Sequence, residues 1–303
     1  MERDMNNGVI PVLHATGRSL AQAWEQSLIE LWEKGGEVRT EYDRKDANGI
    51  FIDPPSKDCR MIFTVTEPAS EPRFHRCFPG GPNDLQEYRM EVVEGIKDHW
   101  MDMPDPNGTL WKYTYHERLM LYQTPGMGED ATHNFQQLPA IDQIQKMIEH
   151  LAKSPYTRRC QAITWQPNVD MDSSDPPCLQ RIWCRILFDA NGEWWLNMDV
   201  DFRSRDGYKA AFMNADAFIH LMQYMADGIG KIAGRKVHLG HYCDSSNSYH
   251  IYGKDHAQFE REFLENLKRP FEDRTWTSEF MMPMLLEAIP EIHAKVARKD
   301  AGA

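Results

Sequence analysis

The chain has 303 residues, 41% of them apolar and 11% aromatic, which supports a sizeable core and excludes wholesale disorder. A formal net charge of −12 argues against a binder of nucleic-acid polymers but leaves room for a nucleotide monomer in a local basic pocket. The six cysteines form no Cys-x-x-Cys pair, no stretch approaches membrane-spanning length, and no apolar segment follows Met1-Glu2-Arg3-Asp4, so the expectation is a cytoplasmic protein with reduced thiols and no membrane contact.

In chain order, residues 19–34 read as an amphipathic helix. Leu20, Ala23, Trp24, Leu28, Leu31 and Trp32 recur at helical spacing, Ser19 is placed to cap the start, and Gly35-Gly36 ends it. Residues 37–66 read as strands around a turn at Asn48-Gly49, and 67–82, rich in Pro and Gly, as a loop. A second helix is expected over 84–97, with Leu85, Tyr88, Val92 and Ile96 on one side; Glu87 and Glu91, four apart, share a face. Loops follow at 102–109 and 124–139, then a helix over 140–152 and strands over 159–169 and 178–188. Residues 193–203 carry the cleanest period-two pattern: Trp194, Leu196, Met198, Val200 and Phe202 alternate with Trp195, Asn197, Asp199, Asp201 and Arg203. A helix over 208–230, strand over 235–252, helix over 256–267 and a charged helical region from about 270 complete the pattern. Strands in runs mixed with helices give an α+β class in a single domain over 1–303.

Several features have plain structural explanations. Arg158-Arg159 alone reads as solvated charge, and a strand histidine such as His250 is usually a satisfied structural one. His75-x-Cys77 and His241-x-Cys243 lack the four-ligand spacing of a zinc site, so no metal is expected. Pro79-Gly80-Gly81-Pro82 lacks the Lys-Ser/Thr of a phosphate loop.

Cys178 stands apart. Two prolines fix the backbone before it, and the chain carries arginines at Arg158, Arg159, Arg203 and Arg205. Guanidinium groups lower a thiol pKa and are the preferred partners of phosphate, which points to covalent chemistry on a phosphorylated small molecule.

Thr157-Arg158-Arg159, Pro177-Cys178, Arg203-Ser204-x-Asp206, Asn214 eight residues after Asp206, and His250-Ile251-Tyr252 follow one another in an order and spacing that resembles the thymidylate synthase family, which includes pyrimidine nucleotide hydroxymethylases. The resemblance is strongest over about 154–255 and weaker in a divergent first third. There Arg39-Thr40 looks like the family's phosphate-binding loop, Tyr113 and Arg118 like its Tyr-x-x-x-x-Arg segment, and Glu91 like its catalytic glutamate, with Glu87 competing.

The resemblance implies a mixed sheet with flanking helices, a sheet-packed homodimer, and one-carbon transfer from methylenetetrahydrofolate to carbon 5 of a pyrimidine nucleoside monophosphate. It implies Cys178, Glu91, Tyr113 and Arg203 as catalytic. Arg39, Arg203 and Ser204 would hold the phosphate, with Arg158 and Arg159 from the partner. Asn214 would hold the base, His250 and Tyr252 the sugar, and Asp206 and Trp100 the folate. Asn214 leans toward uracil and dUMP. Leu179 replaces the family's usual His after the cysteine, Ala210-Ala211-Phe212-Met213 replaces its usual run before the base-reading Asn, and the C-terminus lacks apolar closing residues. Methyl and hydroxymethyl products therefore both stay open, as does a Cys-His hydrolase built on Cys178 and His250.

Overall fold

The computed structural model describes residues 8–102, 112–123 and 139–300. The loops expected over 102–109 and 124–139 and the two chain ends fall largely outside these residues.

Helix α1 (Leu20–Lys34) starts where Ser19 Oγ accepts the Gln22 N–H and stops where the Gly35 N–H returns to the Leu31 carbonyl. Its apolar stripe buries Leu20, Trp24, Leu28 and Leu31 completely. Trp24 fixes the helix in place. Its ring meets His75, Phe212 and Phe263 edge-on at 5.1, 5.2 and 5.6 Å, and its Nε1 donates to the Gly207 carbonyl at 2.8 Å.

The main sheet is mixed and runs β1 (Val12–Gly17), β3 (Ser56–Val65), β9 (Val237–Ile251), β7 (Trp194–Phe202), β6 (Leu179–Phe188), β5 (Gln161–Ile163). The short β2 (Gly36–Val38) joins β3, and β8 (Arg205–Asp206) joins β9. A two-residue strand β4 (Phe74–His75) pairs separately with β10 (Thr275–Trp276). Pairs β1–β3, β7–β9 and β8–β9 are parallel, and the crossover from β7 to β9 is the long helix α6 (Ala211–Ala233). Helices α2 (Pro82–Glu94), α3 (Tyr115–Met120) and α4 (Gln143–Lys153) come from the first half. The one-turn α5 (Pro167–Asp170) and α7 (His256–Phe259) and the C-terminal α8 (Ser278–Asp300) complete the set. Through Ala288 and Ile292, α8 packs on Met90 of α2.

The alternation expected over 193–203 holds on one face: Trp194, Leu196, Met198, Val200 and Phe202 are buried with Phe212, Phe218 and Met222 of α6 in one core. The other face, carrying Trp183, Arg185, Trp195, Asp199 and Asp201, stays partly exposed. Asn197 departs from the pattern. It is buried, and a β-carbon on Gly240 would lie 2.4 Å from its Oδ1, so the glycine is needed for the strands to close there. The strand expected over 159–169 shortens to three residues before α5, and β1 and α3 had no expectation in the sequence.

Candidate active site

Cys178 enters β6 at the sheet's end, and Arg203 leaves β7 beside it. The Arg203 N–H donates to the Cys178 carbonyl at 2.8 Å, its Nε to the Pro177 carbonyl at 3.0 Å and its Nη2 to the Pro176 carbonyl at 2.6 Å. One arginine thus clamps three successive carbonyls and orients the cysteine, with the prolines limiting the backbone's alternatives. On the other side stand two phenols. The Leu179 N–H donates to Tyr115 Oη at 3.2 Å, and Tyr113 is hydrogen-bonded to Tyr115 and to the Cys178 backbone.

The thiol's charge balance differs from the expectation of a lowered pKa. Burial pushes Cys178 up; Arg203 and Arg205 pull it down and Asp175 pushes it further up, and the net displacement is upward. Arg205 does little there, because it turns the other way. It is buried, forms a bidentate pair with Asp244 and stacks at 4.1 Å on Phe202. The cause is local: β7 ends at Phe202, and Arg205 starts a new strand paired with Tyr249, so the period-two alternation breaks between 203 and 205.

Asn214 and Tyr88 form a second polar pair. Asn214, on the first turn of α6, donates from Nδ2 to Tyr88 Oη at 2.8 Å, which leaves its Oδ1 as an acceptor. Tyr88 lies on α2, three residues before Glu91, and burial raises its pKa well above the ordinary value, with Glu91 and Tyr113 adding to the rise.

The structure separates the two candidate glutamates. Burial alone would raise Glu87, but hydrogen bonds from Lys295 and Lys97, both 2.7 Å away, outweigh it and hold its carboxyl below the usual range. Glu91 is raised by burial, opposed by Lys97 at 3.0 Å and reinforced by Glu87 and Asp98. Of the two, only Glu91 has its carboxyl displaced upward, toward the range in which a carboxyl exchanges protons near neutral pH.

The thymidylate synthase family model matches residues 83–277, well over half of the chain. The chain belongs to the thymidylate synthase family. A protein of Methanocaldococcus jannaschii provisionally named a thymidylate synthase is 29% identical over 257 residues, covering 82% of this chain and 96% of its own. A likewise named protein of Methanopyrus kandleri is 27% identical over 216 residues, covering 71% and 83%. The solved thermostable thymidylate synthase A of Bacillus subtilis superposes with a TM-score of 0.52 over 81% of this chain and 84% of that one; at 14% identity this shows the shared fold.

The remaining residues expected from the family fall in two groups. A cavity of about 880 Å³ is lined by Arg39, Tyr42, Asp58, Ser204, Ser248, His250 and Tyr252 among others. It is lined by the phosphate candidates Arg39 and Ser204 and the sugar candidates His250 and Tyr252, but by neither Arg203 nor Cys178. Arg39 reaches the Asp53 carbonyl at 2.8 Å and stacks over Phe51 at 4.1 Å. Asp206 Oδ1 accepts the N–H groups of Tyr208 and Lys209 at 2.9 and 2.8 Å, and burial pushes its carboxyl up to about 6. Outside this group, Arg158 and Arg159 are exposed, and Trp100 is buried beneath the ammonium groups of Lys299 (3.9 Å) and Lys97 (5.5 Å). The sequence reading missed Tyr88, Tyr115, Lys97 and Asp58. Only Tyr88 carried a signal, sharing a helix face with Glu91. No group of three or more His, Cys, Asp or Glu suited to a metal occurs among the described residues.

Proposed function

We propose that this enzyme transfers a one-carbon unit to carbon 5 of a pyrimidine nucleoside monophosphate, through addition of Cys178 to carbon 6. The reading treats 1–303 as one unit, since strands from Val12 to Ile251 share one sheet. The observation that carries it is the grouping around Cys178: a nucleophile clamped by Arg203 and flanked by Tyr113, with Tyr88, hydrogen-bonded to Asn214, feeling the charges of both Tyr113 and Glu91.

In this reading, phosphate held by Arg203, Ser204 and Arg39 brings carbon 6 to the thiol. The burial that raises the free thiol also strengthens its attraction to Arg203 once ionised. Sulfur addition makes carbon 5 nucleophilic. Glu91 and Tyr113 carry the proton transfers, and the Asn214 Oδ1 accepts the uracil N3–H, which cytosine lacks. Methylenetetrahydrofolate would supply the one-carbon unit. Asp206 fits such a group, with one carboxyl oxygen held by backbone N–H groups and the carboxyl readily protonated. Trp100, covered by lysines, does not present an open ring.

The exposed Arg158 and Arg159 fit donation to a partner's phosphate, and the partly exposed sheet face around Trp195 and Asp199 fits a homodimer packed sheet on sheet. Methyl transfer is the first reading. Hydroxymethyl transfer is the second, favoured by the lysine-rich cover that α8 places over Glu87 and Trp100, where an apolar cover would exclude water better. A Cys-His hydrolase finds no support: no hydrogen bond joins Cys178 to His250, and burial holds His250 down at about 4, too low for a general base. The test is to incubate the chain with methylenetetrahydrofolate and each of dUMP, dCMP, UMP and CMP. The reading predicts a product heavier by a methyl or hydroxymethyl group; unchanged mass in all four would refute it.

A further inference from the structure

Across the sheet, Asp58 of β3 stands directly opposite His250 of β9, so both side chains face the same side. Ser248, two residues before His250, bridges them. Its hydroxyl donates to Asp58 Oδ2 at 2.8 Å, so its contact with His250 Nδ1 at 3.2 Å is donated by the histidine. That direction fixes the tautomer: Nδ1 carries the proton and Nε2 is an acceptor. His250 is 94% buried, being 6% exposed, and neither its Nε2 nor the buried Asp58 Oδ1 has a hydrogen-bond partner among the described residues. Asp58, Ser248 and His250 all line the 880 Å³ cavity with Ser204 and Tyr252.

Two buried acceptors on cross-strand neighbours, both left unpaired, call for a ligand with two adjacent O–H donors. We propose that the Asp58–Ser248–His250 relay recognises the cis-diol of a ribose, making a ribonucleoside monophosphate the preferred substrate in place of dUMP. The inference rests on the nucleotide reading of this cavity. A 2′-deoxyribose brings one hydroxyl and leaves one acceptor buried and unsatisfied; a ribose satisfies both. Asp58 and Ser248 thereby act as specificity residues, and the enzyme would take its substrate from the ribonucleotide pool before any reduction of the sugar.

Isothermal titration of the full chain with UMP, dUMP, CMP and dCMP tests this. Loss of one such contact predicts UMP binding tighter than dUMP by about 5- to 150-fold. Asp58→Ala should bring the ratio near one by weakening UMP while leaving dUMP within a few-fold. Ser248→Ala, a milder change, should also shrink it, so a misfolded Asp58→Ala does not end the test. Equal or tighter binding of dUMP by the wild type overturns the inference while leaving the proposed function standing. Binding of none of the four overturns both.

Discussion

Lys97 Nζ lies 3.0 Å from Oε2 of Glu91, and the same ammonium reaches Glu87 at 2.7 Å. All three groups are buried. The lysine follows the Gly95 turn that ends α2 in a left-handed conformation (φ 65°), where a β-carbon would also strike the His116 ring at 2.3 Å. A turn of the backbone thus folds a cation back onto the helix face that carries the proposed proton carrier. Lys295 of α8 completes the row by taking the other side of Glu87.

The first prediction follows from that row. Glu91→Gln should lower kcat by about 10²- to 10⁴-fold, the usual contribution of a positioned acid or base. In Lys97→Met the opposing charge is lost, so Glu91, already raised by burial, rises further. Because the carboxylate form must be present, the acid limb of kcat/KM against pH should move to higher pH. A shift toward lower pH, or none, would remove Lys97 from this role.

Asp206 supplies a stability prediction. Its carboxyl is raised from 3.8 to about 6 by burial. A raised folded-state value contributes stability that is full below the unfolded value and is lost as pH rises through about 6. Asp206→Asn keeps an oxygen for the Tyr208 and Lys209 N–H groups and removes the charge. It should therefore gain up to about 3 kcal/mol over the wild type at pH 7.5, with little gain at pH 4, in paired denaturant melts. Folate-dependent turnover should fall in the same variant.

For the nucleophile, Cys178→Ala should cut turnover by at least about 10³-fold while nucleotide affinity stays within a few-fold, since the remaining contacts survive. In the free enzyme, alkylation of Cys178 by iodoacetamide should titrate above the ordinary thiol range, and Arg203→Gln should move it higher still, because the arginine is the strongest lowering influence. Alkylation that titrates below the ordinary range would contradict the burial argument.

Subunit sharing is testable by mixing. Arg159→Ala and Cys178→Ala should each be inactive, and after joint unfolding and refolding up to about a quarter of wild-type activity should return through heterodimers carrying one intact site. No recovery despite proven subunit exchange would confine Arg159 to its own chain.

Much of this was legible in the sequence. Strong periodicity located α1, α6 and β7, because burying one face imposes a pattern that neighbouring residues alone reveal. What was hidden depends on distant partners. β1 is a short edge strand held by parallel pairing to β3 and lacks clear alternation. Glu87 and Glu91 share a helix face, so only lysines from a turn and from the far C-terminal helix tell them apart. Arg205 reads like a twin of Arg203 until Asp244, 39 residues away, claims it. The net upward displacement of the Cys178 thiol reflects how deeply the fold buries it, which neighbouring arginines in sequence do not reveal.

The central claim is that Cys178 activates carbon 5 of a pyrimidine nucleotide for one-carbon transfer. Release of tritium from 5-tritiated UMP and dUMP reads that step directly, whether the product is methyl or hydroxymethyl. The account predicts release that requires methylenetetrahydrofolate, is faster for UMP, and vanishes in Cys178→Ala. Release that persists in Cys178→Ala, or its absence in the wild type with UMP, dUMP and their cytosine counterparts alike, would contradict it.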